Sequence, residues 1–357
     1  MLPELESGGV ETCTRQLADY LVTEGHDSVV VSAGGRMVTD LEAAGSRHVT
    51  FPVHRKSLFS YRLVKRVRQF IEAEKADILH SRSRVPDWIA FLAWRKMNPA
   101  TRPRFVTSVH GLHSVNRYSR IVAAGERVIC VSDTTHRYVV ENYPKVNPDK
   151  LQVIHDGVDL EKWPAGFQPS QQWLRSWYDE FPMTKGRKLL LLPGRLTSLK
   201  GHEDFLRILA QAPQDCIGLF VGHCAPKQRG YRDQLMTLAA QLGVEDRTIY
   251  TGARSDLKEI FALSNIVYSL STRPESFGLT TVEAMALGRP VIAYDHGGVS
   301  ETMGRLLPEG LIPPRAIEDA AAKTKAFLTE PPRPASAEPF SLKKNLAATL
   351  ALYRSFT

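Results

Sequence analysis

From Val29 onward the chain alternates short apolar runs with longer segments whose apolar residues recur at helical spacing. That alternation predicts repeated βα units, and so parallel sheets with helices on their faces. SVVVSA (28–33), DILHSR (77–82), RFVTSVHG (104–111), RVICVS (127–132) and LQVIHDGV (151–158) read as strands of a first sheet. KLLLLPGR (188–195), CIGLFVG (216–222), TIYTGA (248–253), IVYSLS (266–271) and RPVIAYD (289–295) read as strands of a second.

Two interruptions divide the pattern. A polar stretch with Pro164, Gly166, Pro169, Pro182 and Gly186 predicts a connection over 164–184, flanking a short helix near Trp173–Tyr178. The proline-rich segment 331–339 then separates the second series from a last helix within 340–357. The expected division is a Rossmann-like domain over 1–163 completed by 340–357, the linker 164–184, and a second Rossmann-like domain over 185–330. One piece is short: ESGGVE (6–11) has the look of a turn after a first strand, yet only MLPEL precedes it. Either that strand is stubby or the natural start lies upstream.

Composition narrows the class. With 357 residues, 43% hydrophobic, the chain is long enough for two cores, and 11 Tyr and 5 Trp argue against disorder. Cys13, Cys130, Cys216 and Cys224 form no CxxC pair, so neither a zinc site nor a disulfide framework is expected. No apolar run approaches the roughly 18 residues that cross a bilayer, and the start lacks the pattern of an export signal. A cytoplasmic protein is expected, with the inner face of the cytoplasmic membrane as a further candidate location. The net charge of +8 favours an anionic partner: nucleic acid, an acidic lipid surface or a phosphorylated substrate.

The densest chemistry lies in PESFGLTTVEAMALGRPVIAYDHGG (274–298). Glu275 precedes a turn, and Glu283 falls inside a helix that starts near FGLTT and stops at Gly288. Unpaired backbone N–H groups at that helix start, around Phe277, Gly278 and Leu279, suit phosphate or sugar oxygens. Glu283 is then placed to meet a ribose hydroxyl pair. The alternative is an ordinary amphipathic helix with surface carboxylates, which two Glu at this spacing do not exclude.

The wider pattern resembles the retaining GT-B glycosyltransferases, whose C-terminal domain carries an E-x7-E motif within PExFGxxxxEAMAxGxPVIA. The resemblance extends to LPGRLTSLKGHEDFL (192–206), FVGH (220–223), YTGARSDL (250–257) and HGGVSE (296–301). It implies two Rossmann-like domains facing each other across a cleft, with a C-terminal helix crossing back to the first. It also implies transfer of a hexose-type sugar from a nucleotide diphosphate donor with retention, without a metal or other cofactor. On this reading Arg195 and Lys200, on the loop after Gly194, neutralise the leaving diphosphate, Glu275 holds the donor sugar, and backbone near Gly252–Arg254 reads the base. In the first half, Gly8 and Gly9 of SGGVE match a glycine loop of the donor site, and His110 of VTSVHG matches the residue that touches the transferred sugar. His80 is a lesser candidate. Asp156 of VIHDGVDLEKW stands where Asn is usual.

The acceptor is less defined. RKSLFSYRLVKRVRQFIEAEK (55–75) is basic and amphipathic, with Leu58, Leu63, Val67, Phe70 and Ile71 apolar and Arg55, Lys56, Arg62, Lys65, Arg66 and Arg68 basic. It either lies on an anionic membrane beside a lipid-linked acceptor or packs its apolar side on the first sheet. The first option points to Arg62, Lys65 and Arg66 as acceptor or membrane contacts, and to a glycan or glycolipid acceptor such as lipopolysaccharide core. A sugar-nucleotide epimerase on the same fold and a basic nucleic-acid-binding protein are the competing readings. No nucleic-acid module is present, so no nucleic-acid partner is expected.

Overall fold

The computed structural model describes residues 1–6, 8–54 and 60–356. The chain divides into two compact units, Met1–Asp156 with Lys343–Thr357, and Gly157–Leu342.

The first unit contains α1 (Gly9–Thr23), β1 (Val29–Ser32), α2 (Val38–Ala43), β2 (Arg47–Thr50), α3 (Ser60–Glu74), β3 (Ile78–Ser81), α4 (Arg84–Trp94), β4 (Arg104–Val109), β5 (Arg127–Cys130), α5 (Asp133–Asn142) and β6 (Leu151–Val153). β1 pairs with β2, and β3 to β6 pair in chain order, all in parallel. The segment MLPEL, where a first strand is expected, is tied to both neighbouring strands by backbone bonds. Leu2 N–H donates to Val31 O (3.1 Å), Ala33 N–H to Pro3 O (2.9 Å) and Arg82 N–H to Met1 O (3.1 Å), so residues 1–5 lie between β1 and β3. Leu2 and Leu5 are fully buried there. Strand β2 is not visible in the pattern because RHVT holds a single apolar residue, Val49, so no apolar run announces it.

The second unit contains α6 (Gln171–Glu180), β7 (Lys188–Pro193), α7 (His202–Gln211), β8 (Cys216–Val221), α8 (Arg229–Gln241), β9 (Thr248–Gly252), α9 (Leu257–Leu263), β10 (Ile266–Ser269), α10 (Leu279–Ala286), β11 (Val291–Tyr294), α11 (Gly297–Leu306), β12 (Leu311–Ile312) and α12 (Ile317–Thr329). Its six strands are all parallel, in the order β12-β11-β10-β7-β8-β9. The order reverses between β7 and β10, and in such sheets the crevice outside the carboxyl ends at that reversal takes the ligand. Leu190, Leu192, Phe205, Phe220, Tyr268 and Tyr294 belong to the core. Phe205 stands edge-on to Phe220 and Tyr268, with ring centres 5.1 and 5.0 Å away. Two of the buried tyrosine hydroxyls are satisfied: Tyr268 bonds Thr324 (2.7 Å) and Tyr294 donates to Asp204 (2.7 Å).

The stretch 164–184 lies inside the second unit. Helix α6 is held there by Trp173 Nε1, which donates to Asp256 (2.9 Å), and by Trp177, stacked on Trp173 at 5.3 Å and fully buried. Helix α13 (Leu342–Arg354) returns to the first unit from Lys343 onward, burying Leu346, Leu350, Leu352 and Tyr353. The four cysteines are free thiols. Among the described residues, no helix is long and apolar enough to cross a membrane.

Candidate active site

In the second unit, the loops at the carboxyl ends of β7, β8, β9 and β10 are drawn together backbone to backbone. Gly194 N–H donates to Val221 O (2.8 Å), Leu196 N–H to His223 O (3.0 Å) and Gly222 N–H to Gly252 O (2.9 Å). A Cβ on Gly222 would overlap the carbonyl of Gly194, and one on Gly201 would overlap the carbonyl of Leu270. Gly201 also has φ 73°, a left-handed conformation that only glycine adopts cheaply, and it caps the start of α7. These approaches deliver Lys200, at the end of a short 3₁₀ turn, to Glu275.

Lys200 Nζ lies 2.7 Å from Glu275 Oε1. The same oxygen accepts a bond from Ser271 Oγ. Behind it, His296 Nε2 bonds Ser271 O (2.7 Å), and Gly298 N–H donates to Glu275 O (2.8 Å), so both the side chain and the main chain of Glu275 are held. Burial alone would raise the Glu275 carboxyl. The Lys200 ammonium, the Ser271 hydroxyl and the His296 ring outweigh that and hold it below the usual glutamate value, so it is an anion at neutral pH. Ser271 and His296 were absent from the sequence-predicted set. His296 stands in the HGG run that was noted, but nothing in the linear pattern ties Ser271 to a carboxylate four residues on.

Helix α10 begins beside this cluster. Gly278 is its N-cap, with φ 92° and no side-chain cap, and the first intrahelical bond runs from Thr281 N–H to Gly278 O (3.0 Å). The N–H groups of Leu279 and Thr280 precede that bond, which leaves the donor end of the helix presented at its start. Phe277 is buried edge-on to Phe340 at 5.6 Å and anchors the turn. The helix stops in a Schellman arrangement, with Arg289 N–H on Ala284 O (2.9 Å) and Gly288 N–H on Met285 O (2.9 Å). Glu283 lies in its second turn, half-buried; burial pushes its carboxyl up to about 7, only partly opposed by Lys162.

The remaining expected donor residues divide. Arg195 is exposed, and among the described residues its guanidinium has no ion pair. Gly252 closes β9 with φ 74° and open space on its Cβ side. The Arg254 side chain is committed elsewhere. It forks onto Asp256 (2.9 and 2.8 Å) and meets Glu180 (2.9 Å), clamping α6 to the loop after β9, so only its main chain remains for a ligand.

The first unit carries a smaller group. Gly8, with φ 155°, caps α1, whose first residue is Gly9, and the Glu11 carboxylate folds back over Gly8. That carboxylate occupies the anion-favouring helix start, while Ser7 of the same loop lies outside the described residues. His110 follows the carboxyl end of β4, and its Nδ1 is 3.6 Å from Asp156 Oδ2, with 9% and 11% of the two side chains exposed. Asp156, the departure from the usual Asn, is thus the charged neighbour of His110. His80 is an anchor: its Nε2 bonds Ser108 Oγ (2.7 Å), its Nδ1 bonds the Tyr353 hydroxyl of α13, and burial holds the ring well below the usual histidine value, hence neutral.

Helix α3 settles one alternative. Leu63, Val67 and Ile71 are buried in the core of the first unit, so the apolar side is not available to a bilayer. Arg62, Lys65 and Arg66 are exposed, with Arg66 5.3 Å above the Phe51 ring. Arg55, Lys56 and Leu58 lie outside the described residues.

Comparison with known proteins agrees with this layout. Residues 7–162 match Glycosyltransferase Family 4, and residues 177–343 match Glycosyl transferases group 1. The N-acetyl-alpha-D-glucosaminyl L-malate synthase of Bacillus anthracis is 25% identical over 315 residues, 83% of this chain and 78% of that protein. A glycosyltransferase structure from Rickettsia africae superposes with a TM-score of 0.84 at 26% identity, covering 99% of this chain and 97% of the other. HepE of Anabaena, solved with UDP and glucose, superposes with a TM-score of 0.81 at 21% identity over 99% of each chain.

Proposed function

Because the chain belongs to the group 1 glycosyltransferases of GT-B fold, we propose that it transfers a hexosyl group from a nucleoside diphosphate sugar to a glycan or lipid-linked acceptor, with retention and without a metal ion. One observation carries the reading: Lys200 and Glu275 stand 2.7 Å apart at the strand-order reversal of the second unit, beside the open start of α10. There the donor diphosphate meets Lys200, Arg195 and the Leu279 and Thr280 N–H groups, and its arrival draws Lys200 from Glu275 toward the phosphate. Glu275, released but still anionic, accepts bonds from hydroxyls of the donor sugar. Glu283 meets the ribose hydroxyls.

In the transfer step the bond from the anomeric carbon to the diphosphate oxygen breaks, and the acceptor oxygen bonds to that carbon on the same face. The acceptor proton passes to the departing phosphate oxygen. Positive charge already in place offsets the negative charge that builds on the leaving group, the role a metal fills elsewhere. His110, oriented by Asp156, is assigned to the transferred sugar. The basic face of α3, at Arg62, Lys65 and Arg66, supports an anionic acceptor such as a lipopolysaccharide core, by charge and not by insertion.

The test is the melting temperature with UDP, GDP, ADP or CMP in chelator, for wild type and Arg195→Ala. UDP comes first because a protein of the same fold binds it. A nucleotide at about 100 times its dissociation constant adds roughly 2.7 kcal/mol of stability. A shift with one nucleoside diphosphate that Arg195→Ala reduces supports the reading. No shift with any of them, with or without magnesium, overturns it. Proton NMR of the product's anomeric signal then reads retention directly.

A further inference from the structure

The first unit has a second polar feature, distinct from the His110 group. A cavity of about 300 Å³ lies between α4, the turn 119–123 and the segment 145–150, where its lining includes Ala124, in the loop leading to β5, and Lys150, directly before β6. It therefore sits toward the amino ends of those strands, whereas His110 follows the carboxyl end of β4. Its volume is at the small end of the range for ligand pockets.

Two properties of the lining point to a ligand. Arg117, Arg120, Lys145 and Lys150 all contribute, no carboxylate does, and among the described residues none of these four side chains has an ion pair. Four like charges around one hollow repel one another, a cost that an anion in the hollow would reverse. The floor, by contrast, is aromatic and fixed. Trp88 donates its indole N–H to Tyr118 O (3.0 Å), stacks on the Tyr118 ring at 6.2 Å and meets the edge of Phe91 at 6.3 Å. Arg84 lies 5.8 Å above the Tyr118 ring and backs the same wall.

From this combination we propose that the cavity binds a phosphate ester whose ester group is apolar or aromatic. The phosphate meets the forked donors of Arg117 and Arg120 and the ammonium groups of Lys145 and Lys150, and the ester group lies against Trp88 and Phe91. The site belongs wholly to the first unit.

The test uses the full chain and phenyl phosphate as probe, read by tryptophan fluorescence, with inorganic phosphate in a parallel titration and cosedimentation with phosphatidylglycerol against phosphatidylcholine vesicles. Wild type gives a saturable change with phenyl phosphate, at least fivefold tighter than with inorganic phosphate and absent in Trp88→Phe. The double variant Arg120→Gln/Lys150→Gln binds at least tenfold more weakly while its melting temperature stays equal or rises, since like-charge repulsion is relieved. Vesicle binding selective for phosphatidylglycerol and lost in the double variant supports a lipid headgroup as the source. Phenyl phosphate binding without vesicle binding supports a soluble ester. A response equal in wild type and double variant, equal affinity for inorganic phosphate, or no saturable response to either phenyl phosphate or phosphatidylglycerol overturns the proposal.

Discussion

The two units are built on the same βα principle but assemble their polar groups differently. In the second, Lys200, Ser271, Glu275 and His296 are joined by direct bonds, and glycines at 201, 222, 297 and 298 let the loops that carry them approach backbone to backbone. In the first, His110 Nδ1 lies 3.6 Å from Asp156, and separately His80 bonds Ser108 of β4 and Tyr353 of α13. In the second site the loops are packed so closely that an added Cβ at these glycines meets backbone. The first is held by side-chain contacts and not by close glycine approaches, so a side-chain substitution there does less damage to the fold.

Substitutions can break that contrast. Lys200→Ala should have the largest effect on transfer, roughly 100- to 1,000-fold in kcat, because it removes preorganised positive charge and leaves the Glu275 carboxylate half-buried without its cation. A loss below tenfold, with the nucleotide-induced melting shift intact, would place the diphosphate elsewhere. Gly201→Ala should cost about 3 kcal/mol or more, since the new Cβ has φ 73° and overlaps Leu270 O. A denaturant midpoint equal to wild type would mean that the loop relaxes freely.

For the first unit, His110→Ala should lower kcat about 100-fold and leave the nucleotide shift untouched, whereas Asp156→Asn should cost only about fivefold in kcat. If Asp156→Asn matches His110→Ala, the pair acts as one unit and the contrast between the two sites weakens. The smallest effect is a pH dependence. Because the folded Glu283 carboxyl is raised to about 7 from 4.5, its contribution to stability is full below about 4.5 and is lost as pH rises through 7. Glu283→Gln should therefore melt close to wild type at pH 5 and above it at pH 8. The reverse ordering at pH 8 would show that Glu283 is charged and paired there.

Much of this was legible in the linear pattern, for reasons that vary by element. Apolar runs predict ten of the twelve strands found among the described residues, because a buried parallel strand is apolar on both faces. β2 and β12 carry no such run: one has a single apolar residue, the other is two residues long. The residues of the Glu275 site were mostly visible because they cluster in two short segments around Lys200 and Glu275. The expectation for Arg254 concerned its main chain; what the linear pattern does not reveal is that its side chain clamps Glu180 of α6 to Asp256 of its own loop, because charge spacing does not encode that meeting.

The sequence by itself determined the βα class, the turn glycines, the start and stop of α10 and the placing of two carboxylates eight residues apart, since all of these rest on local periodicity and backbone freedom. Tertiary structure alone decided which charges meet. Glu275 became a held anion and Glu283 a carboxyl near neutrality through their burial and their neighbours, Lys200 in one case and a distant Lys162 in the other. The apolar side of α3 was likewise claimed by a core rather than a bilayer. Burial and Coulomb energy depend on distances through space, and chain spacing does not encode those distances.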